Sequence, residues 1–187
     1  MKLHPTTIPG CFSLELTVMT DARGSFVKTF RATSFRELGL ESTFTESFYS
    51  TSQTGVVRGM HFQMPPSDGA KLVYALQGEV LDVALDLRAG SPAYGKYVTF
   101  QLTPEKPCAA YIPRGVAHGF LAVRGPATLA YEVSSEYEPA LDAGVRWDSF
   151  GMDWGTGDPL LSARDRSFPT LASFESPFVF APTEARA

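Results

Sequence analysis

Histidine and cysteine are scarce in this chain. Its 187 residues include three histidines, His4, His61 and His118, and two cysteines, Cys11 and Cys108. Neither cysteine stands in a metal-type spacing, so both read as free thiols of a reducing compartment. The start, Met1-Lys2-Leu3-His4-Pro5, lacks the apolar run of a secretory signal. No stretch nears the ~20 apolar residues that cross a bilayer. Positive charge is also short: 16 Lys and Arg stand against 20 Asp and Glu, a net charge of -4. That balance argues against nonspecific nucleic-acid binding but leaves room for a small basic pocket. A phosphate-cradling glycine loop is missing too, since Gly115 and Gly119 do not form a dinucleotide fingerprint. These absences point to a cytoplasmic protein of one domain, residues 1–187, with no membrane and no nucleic-acid partner. Hydrophobic residues at 44% and charged residues at 19% suit a soluble globular chain.

Short β-rich runs dominate what is there. They cover Phe12 to Val18, Gly24 to Phe30, Phe44 to Thr51, Val56 to Gln63, Leu72 to Leu76 and Glu79 to Leu87. Tyr97 to Leu102, Cys108 to Ile112, Gly119 to Val123 and Thr128 to Val133 follow. Turn signals separate most of them, among them Asp21-Ala22-Arg23-Gly24, Gln77-Gly78 and Arg124-Gly125-Pro126. One short helix is expected at Ser34 to Leu38, capped by Thr33 or Ser34. From about Tyr137 the strands stop, and Pro139, Trp147, Trp154, Pro159 and Pro169 suggest an irregular arm laying aromatics on the barrel. The fold class is all-β, a jelly-roll barrel or sandwich with short peripheral helices and an irregular C-terminal arm.

Two segments carry the chemistry. Gly55-Val56-Val57-Arg58-Gly59-Met60-His61-Phe62-Gln63 sets a cation and an imidazole in an apolar strand. Tyr111-Ile112-Pro113-Arg114-Gly115-Val116-Ala117-His118-Gly119-Phe120 frames His118 the same way. Arg58 and His61 have opposite parity on a regular strand, so both face one pocket only if the chain bends at Gly59. In Glu79 to Leu87, the two-residue period puts Leu81, Val83, Leu85 and Leu87 on one face, and Val80, Asp82, Ala84 and Asp86 on the other. Alternation alone allows Asp82 in solvent as readily as inside the barrel beside a cation. Inward Arg58 and Lys71 need an anionic ligand or buried carboxylates. Histidine alone is a poor metal centre here: His61-Phe62-Gln63 lacks the second histidine of a His-x-His pair, and His61 with His118 makes a weak divalent site.

With these segments placed, the chain resembles the dTDP-4-dehydrorhamnose 3,5-epimerase family of the cupin superfamily. The likeness rests on Asp21 to Phe26, Gly55 to Gln63, Lys71-Leu72-Val73, Gly78 to Arg88, Ser91-Pro92-Ala93-Tyr94-Gly95, Ile112 to Phe120 and Leu161-Ser162-Ala163-Arg164-Asp165. It implies an epimerase without metal or cofactor, acting on a nucleotide-linked 4-keto-6-deoxyhexose. The family's base falls on His61, its partner on Asp165 and its acid on Tyr131. Lys71 falls on a pocket position, and its cation can supply what an enolate at O4 needs. Asp82 and His118 fall on pocket positions, and Arg23, Arg58, Asp142 and Arg164 on diphosphate and sugar contacts. Tyr137 falls near the aromatic that stacks on the base. The resemblance also implies a homodimer whose pockets borrow residues from the partner chain.

The chemistry suits these residue types. A C4 ketone acidifies the protons on C3 and C5, a neutral histidine removes one, and a donor on the other ring face returns one. Three positions depart from the family pattern, all expected at the nucleotide end. Lys28 stands where a glutamate is usual, and Glu46-Ser47-Phe48 stands for Gln-x-Asn. Thymine and cytosine reverse their donor and acceptor at the recognised edge, and Lys28 with Glu46 changes in the direction of cytosine, so a CDP-linked sugar epimerised at C3 or C5 is the alternative. A 3,4-ketoisomerase, a metal-dependent oxygenase and a non-catalytic sugar-nucleotide-binding cupin are rivals; His61, Asp165 and Tyr131 together speak against the last.

Overall fold

The computed structural model describes residues 1–181. The end of the expected domain, 182–187, lies outside the described residues. Among the described residues eleven strands form: β1 Lys2–Pro5, β2 Phe12–Glu15, β3 Thr17–Asp21, β4 Gly24–Lys28, β5 Glu46–Ser52, β6 Val57–Gln63, β7 Lys71–Asp86, β8 Tyr97–Leu102, β9 Cys108–Ile112, β10 Val116–Val133 and β11 Asp142–Gly144. Two short helices join them, α1 Ala32–Glu37 and α2 Ala163–Ser167.

Nine of the strands share one hydrogen-bonded ladder, while β3 and β4 pair only with each other. The ladder folds over itself because β7 and β10 each serve two sheets. Lys71 to Ala75 and Leu129 to Val133 pair in a first sheet, flanked by β9 and β5. Val80 to Asp86 and Val116 to Ala122 pair in a second, flanked by β8 and by β6 with β11. All neighbours are antiparallel, as a jelly roll requires.

Three apolar clusters fill the spaces this makes. Val73, Ala110, Leu129 and Tyr131 of the first sheet meet Val80, Ala84, Leu102 and Phe120 of the second in an inner core. Outside the first sheet, Leu14, Leu72 and Tyr111 pack with Phe35 of α1, and with Phe30 and Phe44. Outside the second, Val57, Phe62, Val83, Leu85 and Leu121 lie under Val145, Trp154 and Phe178, with Trp147 and Phe174 alongside. The expected aromatic arm is therefore present, and it covers a sheet face that would otherwise present Leu and Val to water.

Several local expectations are corrected. Leu72 to Leu76 and Glu79 to Leu87 are one strand, β7, and Gly119 to Val123 and Thr128 to Val133 are one strand, β10. Gln77-Gly78 and Arg124-Gly125-Pro126 mark bends, not ends. They lie opposite each other, where the register shifts and residues 125–127 have no partner on β7. The missing N–H of Pro126 costs no ladder bond there. Gly78 sits at φ +73°, and a side chain on it would strike the Arg124 carbonyl. Phe12 to Val18 is instead two strands, β2 and β3. Helix α1 starts earlier than expected, with Arg31 at its cap and no capping side chain. Its anchor is buried Phe35, edge-on to Phe30 and Phe44. The arm also adds a strand, since β11 pairs with β6.

Candidate active site

Strand β6 holds the first element of the site. Across from it on β10, His118 opposes His61 and Phe120 opposes Arg58, so Gly59 and Met60 face the single residue Gly119. This is the expected bulge, and it brings Arg58 and His61 to one cavity. Gly59 adopts φ +136°, and a Cβ there would lie 2.6 Å from Gly119 Cα. Two glycines back to back are what the sterics demand. The bulge also frees the Gly59 N–H, which donates to Asp165 Oδ2 at 3.1 Å.

Asp165 arrives from α2, where Ser162 caps the helix by accepting from the Asp165 N–H at 3.0 Å. Its Oδ1 lies 2.9 Å from His61 Nε2. Burial opposes its ionisation, but the bonds from His61, Gly59 and Ser162 outweigh that and bring its carboxyl down to about 2. His61 moves the other way from most partnered histidines. Burial holds it below its ordinary value, and Asp165 restores only part of the loss. The ring is thus neutral near pH 7, with Nε2 held and the other nitrogen left for a ligand. Phe168 meets this imidazole edge-on at 5.7 Å.

His118 sits deeper. Its Nε2 is 2.6 Å from Asp82 Oδ2, and Asp82 is fully buried. The alternation question is settled in favour of the barrel interior. Asp86, on the same face, is also buried, held by Arg88 and Ser91. Lys71 donates to the His61 carbonyl at 3.2 Å, and burial lowers its ammonium to about 8 despite Asp142 and Asp82. Tyr131 is buried on the first sheet, which holds its phenol well above the usual value. Phe48 stacks on it at 4.7 Å, and His118 meets it edge-on at 5.7 Å.

These side chains open into a cavity of about 390 Å³, a size typical of small-molecule sites. Glu46, Phe48, Arg58, His61, Lys71, His118, Tyr131, Tyr137, Asp142 and Arg164 all line it. Asp82 and Asp165 stand behind their histidines. At the mouth, Arg164 pairs with Asp142, Tyr137 Oη donates to Asp142 at 3.3 Å, and the Tyr137 N–H donates to Glu46 at 2.7 Å. Arg58 donates to Ser52 Oγ at 2.9 Å. Among the described residues there is no cluster of three or more His, Cys, Asp and Glu able to hold a metal.

Two expected residues are elsewhere. Arg23 lies in the β3–β4 turn, ion-paired with Asp21 at 2.6 Å, and Lys28 ends β4; neither lines the cavity of its own chain. Selecting cytosine would take Lys28 and Glu46 at one base edge, and within this chain only Glu46 lines the cavity. Residue 48 was expected at the nucleotide end, yet its ring lies on Tyr131. Reading by motif also missed Gln63, whose amide donates to the Glu136 carbonyl and accepts from the Glu138 N–H, tethering the segment that carries Tyr137. Its parity with His61 on β6 was the available signal.

An antiparallel jelly roll whose inner face carries histidine–carboxylate pairs is a cupin-type fold with an acid–base pocket. The family model described as dTDP-4-dehydrorhamnose 3,5-epimerase matches residues 5–173, and the chain belongs to that family. A dTDP-4-dehydrorhamnose 3,5-epimerase of Methanothermobacter thermautotrophicus is 39% identical over 171 residues, 89% of this chain and 92% of the relative. The crystal structure of an epimerase from Legionella pneumophila, in complex with dTDP-4-keto-L-rhamnose, matches with a TM-score of 0.91 and 33% identity, covering 96% of this chain and 99% of that one. A 3'-monoepimerase from Streptomyces bikiniensis, in complex with dTDP-quinovose, matches with a TM-score of 0.86 and 35% identity, covering 90% and 87%.

Proposed function

We propose that this chain epimerises a dTDP-linked 4-keto-6-deoxyhexose at carbons next to the ketone, working as one jelly-roll domain in the cytoplasm. The observation that carries this is a neutral imidazole on one sheet and a protonated phenol on the other, both lining one cavity. His61 takes the C–H proton through the nitrogen that Asp165 does not hold. The electron pair moves onto O4 as an enolate, and the Lys71 ammonium lies at hand to stabilise it. Tyr131 gives its O–H proton to the opposite face of the same carbon, inverting it. The phenolate regains a proton from water and the imidazolium returns one, so atoms and charge balance. Every step is a proton transfer, and no redox partner is needed.

The remaining residues serve the nucleotide. Arg58 and Arg164 suit the diphosphate, and exposed Tyr137 suits the base. Asp142 orients Arg164 and Tyr137, while His118 and Asp82 shape the sugar end. Arg23 and Lys28 serve a partner's pocket in a homodimer. Support comes from the β3–β4 hairpin, which pairs with no other strand of its own chain and exposes Val18, Met19 and Phe26. Light scattering at micromolar concentration is expected to give twice the chain mass, and a monomer rejects the shared pocket. The central test is deuterium uptake from D2O into dTDP-4-keto-6-deoxyglucose, read carbon by carbon. Uptake with inversion at C3, C5 or both supports the reading; binding without uptake makes the chain a sugar-nucleotide-binding cupin instead.

A further inference from the structure

The geometry points to Phe48 as a positioning residue for proton return: its ring holds the Tyr131 phenol in the one orientation that reprotonates the substrate on the face opposite His61. This deepens the epimerase reading and rests on it. Phe48 and Tyr131 are direct partners across β5 and β10, so their side chains rise from the same face of the sheet. Their rings are nearly parallel, 14° apart, at 4.7 Å between centroids. Tyr131 also meets the His118 ring at 5.7 Å in an edge arrangement, and His118 is itself fixed by Asp82. The phenol therefore has two ring neighbours, one fixed by a carboxylate and one, Phe48, that forms a stacked wall along its face.

Phe48 is also 44% exposed and lines the cavity, so one ring face is spent on Tyr131 while part of the ring is open to the cavity. A side chain kept only for packing is normally buried. An aromatic pair adds only a little beyond its buried area. That is small for stability but enough to set the rotamer of an acid, and a misplacement of about 1 Å can cost roughly a hundredfold in rate. Proton removal by His61, on the other sheet, does not depend on this wall. The two half-reactions are thus expected to respond differently to residue 48.

The test reads inversion per solvent exchange at each carbon in D2O. In Phe48→Ala, read at saturating nucleotide sugar so that any change in binding drops out, inversion per exchange is expected to fall roughly tenfold. Phe48→Tyr keeps the stacked ring and is expected to retain the wild-type ratio. In a Tyr131→Phe background, Phe48→Ala is expected to change the ratio no further, since the group it positions is gone. If Phe48→Ala fails to fold, Phe48→Leu replaces it, because leucine fills the wall without stacking. An active variant that inverts at every exchange as wild type does overturns the inference, as does a parallel loss of exchange and inversion. A wild-type chain that exchanges neither carbon overturns the epimerase reading itself, so the two failures are distinguishable.

Discussion

The molecule contains two histidine–carboxylate pairs that look alike in sequence and differ in surroundings. The His61 side chain keeps 25% of its surface exposed, whereas that of His118 keeps 5%. The Asp165 carboxylate is held by two donors, one on each oxygen, His61 and the Gly59 N–H, while its own backbone N–H donates to the cap Ser162. Asp82 has one, and its Oδ1 is buried with no partner. A fully satisfied carboxylate can hold a ring at a fixed angle while that ring gains and loses charge. An under-satisfied one, buried beside Lys71, instead supplies negative potential near a cation. The comparison separates an imidazole set up to accept a proton from one set up to hold shape.

The largest effect that tests this contrast is on the two rings themselves. His61→Asn is expected to lower solvent exchange by about 10²–10⁴-fold, the usual worth of a general base, with the melting temperature little changed. His118→Asn is expected to lower stability, since it leaves Asp82 buried and unpaired, a loss of roughly 3–5 kcal/mol when a buried pair is broken. Isotope exchange and calorimetry on both variants decide the matter. Equal exchange losses without any change in stability would dissolve the distinction.

A middle-sized effect lies in pH dependence. His61 must be neutral to act, and burial holds it below its ordinary value of 6.5, so the acid limb of kcat/KM is expected below pH 6.5. Lys71 must be charged to steady the enolate, and burial brings it to about 8, so a basic limb is expected near pH 8. Asp165→Asn removes the raising influence on His61, and its acid limb is expected to move to still lower pH. Lys71→Arg keeps its charge at high pH and is expected to lose the basic limb. A profile flat from pH 5 to pH 10 would refute both assignments. Stability depends on pH in the same direction. A histidine whose folded value is depressed contributes a loss that grows as pH falls below the unfolded value near 6.5.

The smallest expected effect sharpens the frame around His61. Phe168 meets the imidazole edge-on and has Arg164 over its own face at 5.6 Å. Phe168→Leu keeps most of the volume but loses both aromatic contacts, each worth about 0.5–1.5 kcal/mol. A fall of less than about tenfold in kcat/KM is expected, with KM rising because Arg164 is freed. Steady-state kinetics measure it, and no change in either constant would make Phe168 a bystander.

Much of this was legible in the residues themselves. The two-residue period across Glu79 to Leu87 separated Val80, Asp82, Ala84 and Asp86 from four apolar partners, and the structure keeps that division. Opposite parity of Arg58 and His61, with a glycine between, implied a bend, and the bulge is there. These are local inferences, and local sterics and alternation decide them. What alternation cannot carry is which face of a strand becomes inside, because both faces of β7 are buried. Only the arm, folding back over Val83 and Leu85, decides that the Asp82 face looks inward. Likewise Gly78 and Pro126 signal chain reversal in isolation, and only their juxtaposition turns two reversals into bends of two continuous strands.

The sequence by itself determined the all-β pattern, the bulge at Gly59 and the residue types for acid–base chemistry next to a ketone, because these follow from backbone sterics, periodicity and the side chains' own chemistry. The tertiary structure alone decided that Asp165 reaches His61 across 104 residues, that Lys71 loses its water, that Phe48 lies on Tyr131, and that Arg23 and Lys28 stay outside their own pocket. Each of these depends on contacts between segments distant in the chain and on how much water the closed sheets exclude, and neither is written in any local run of residues.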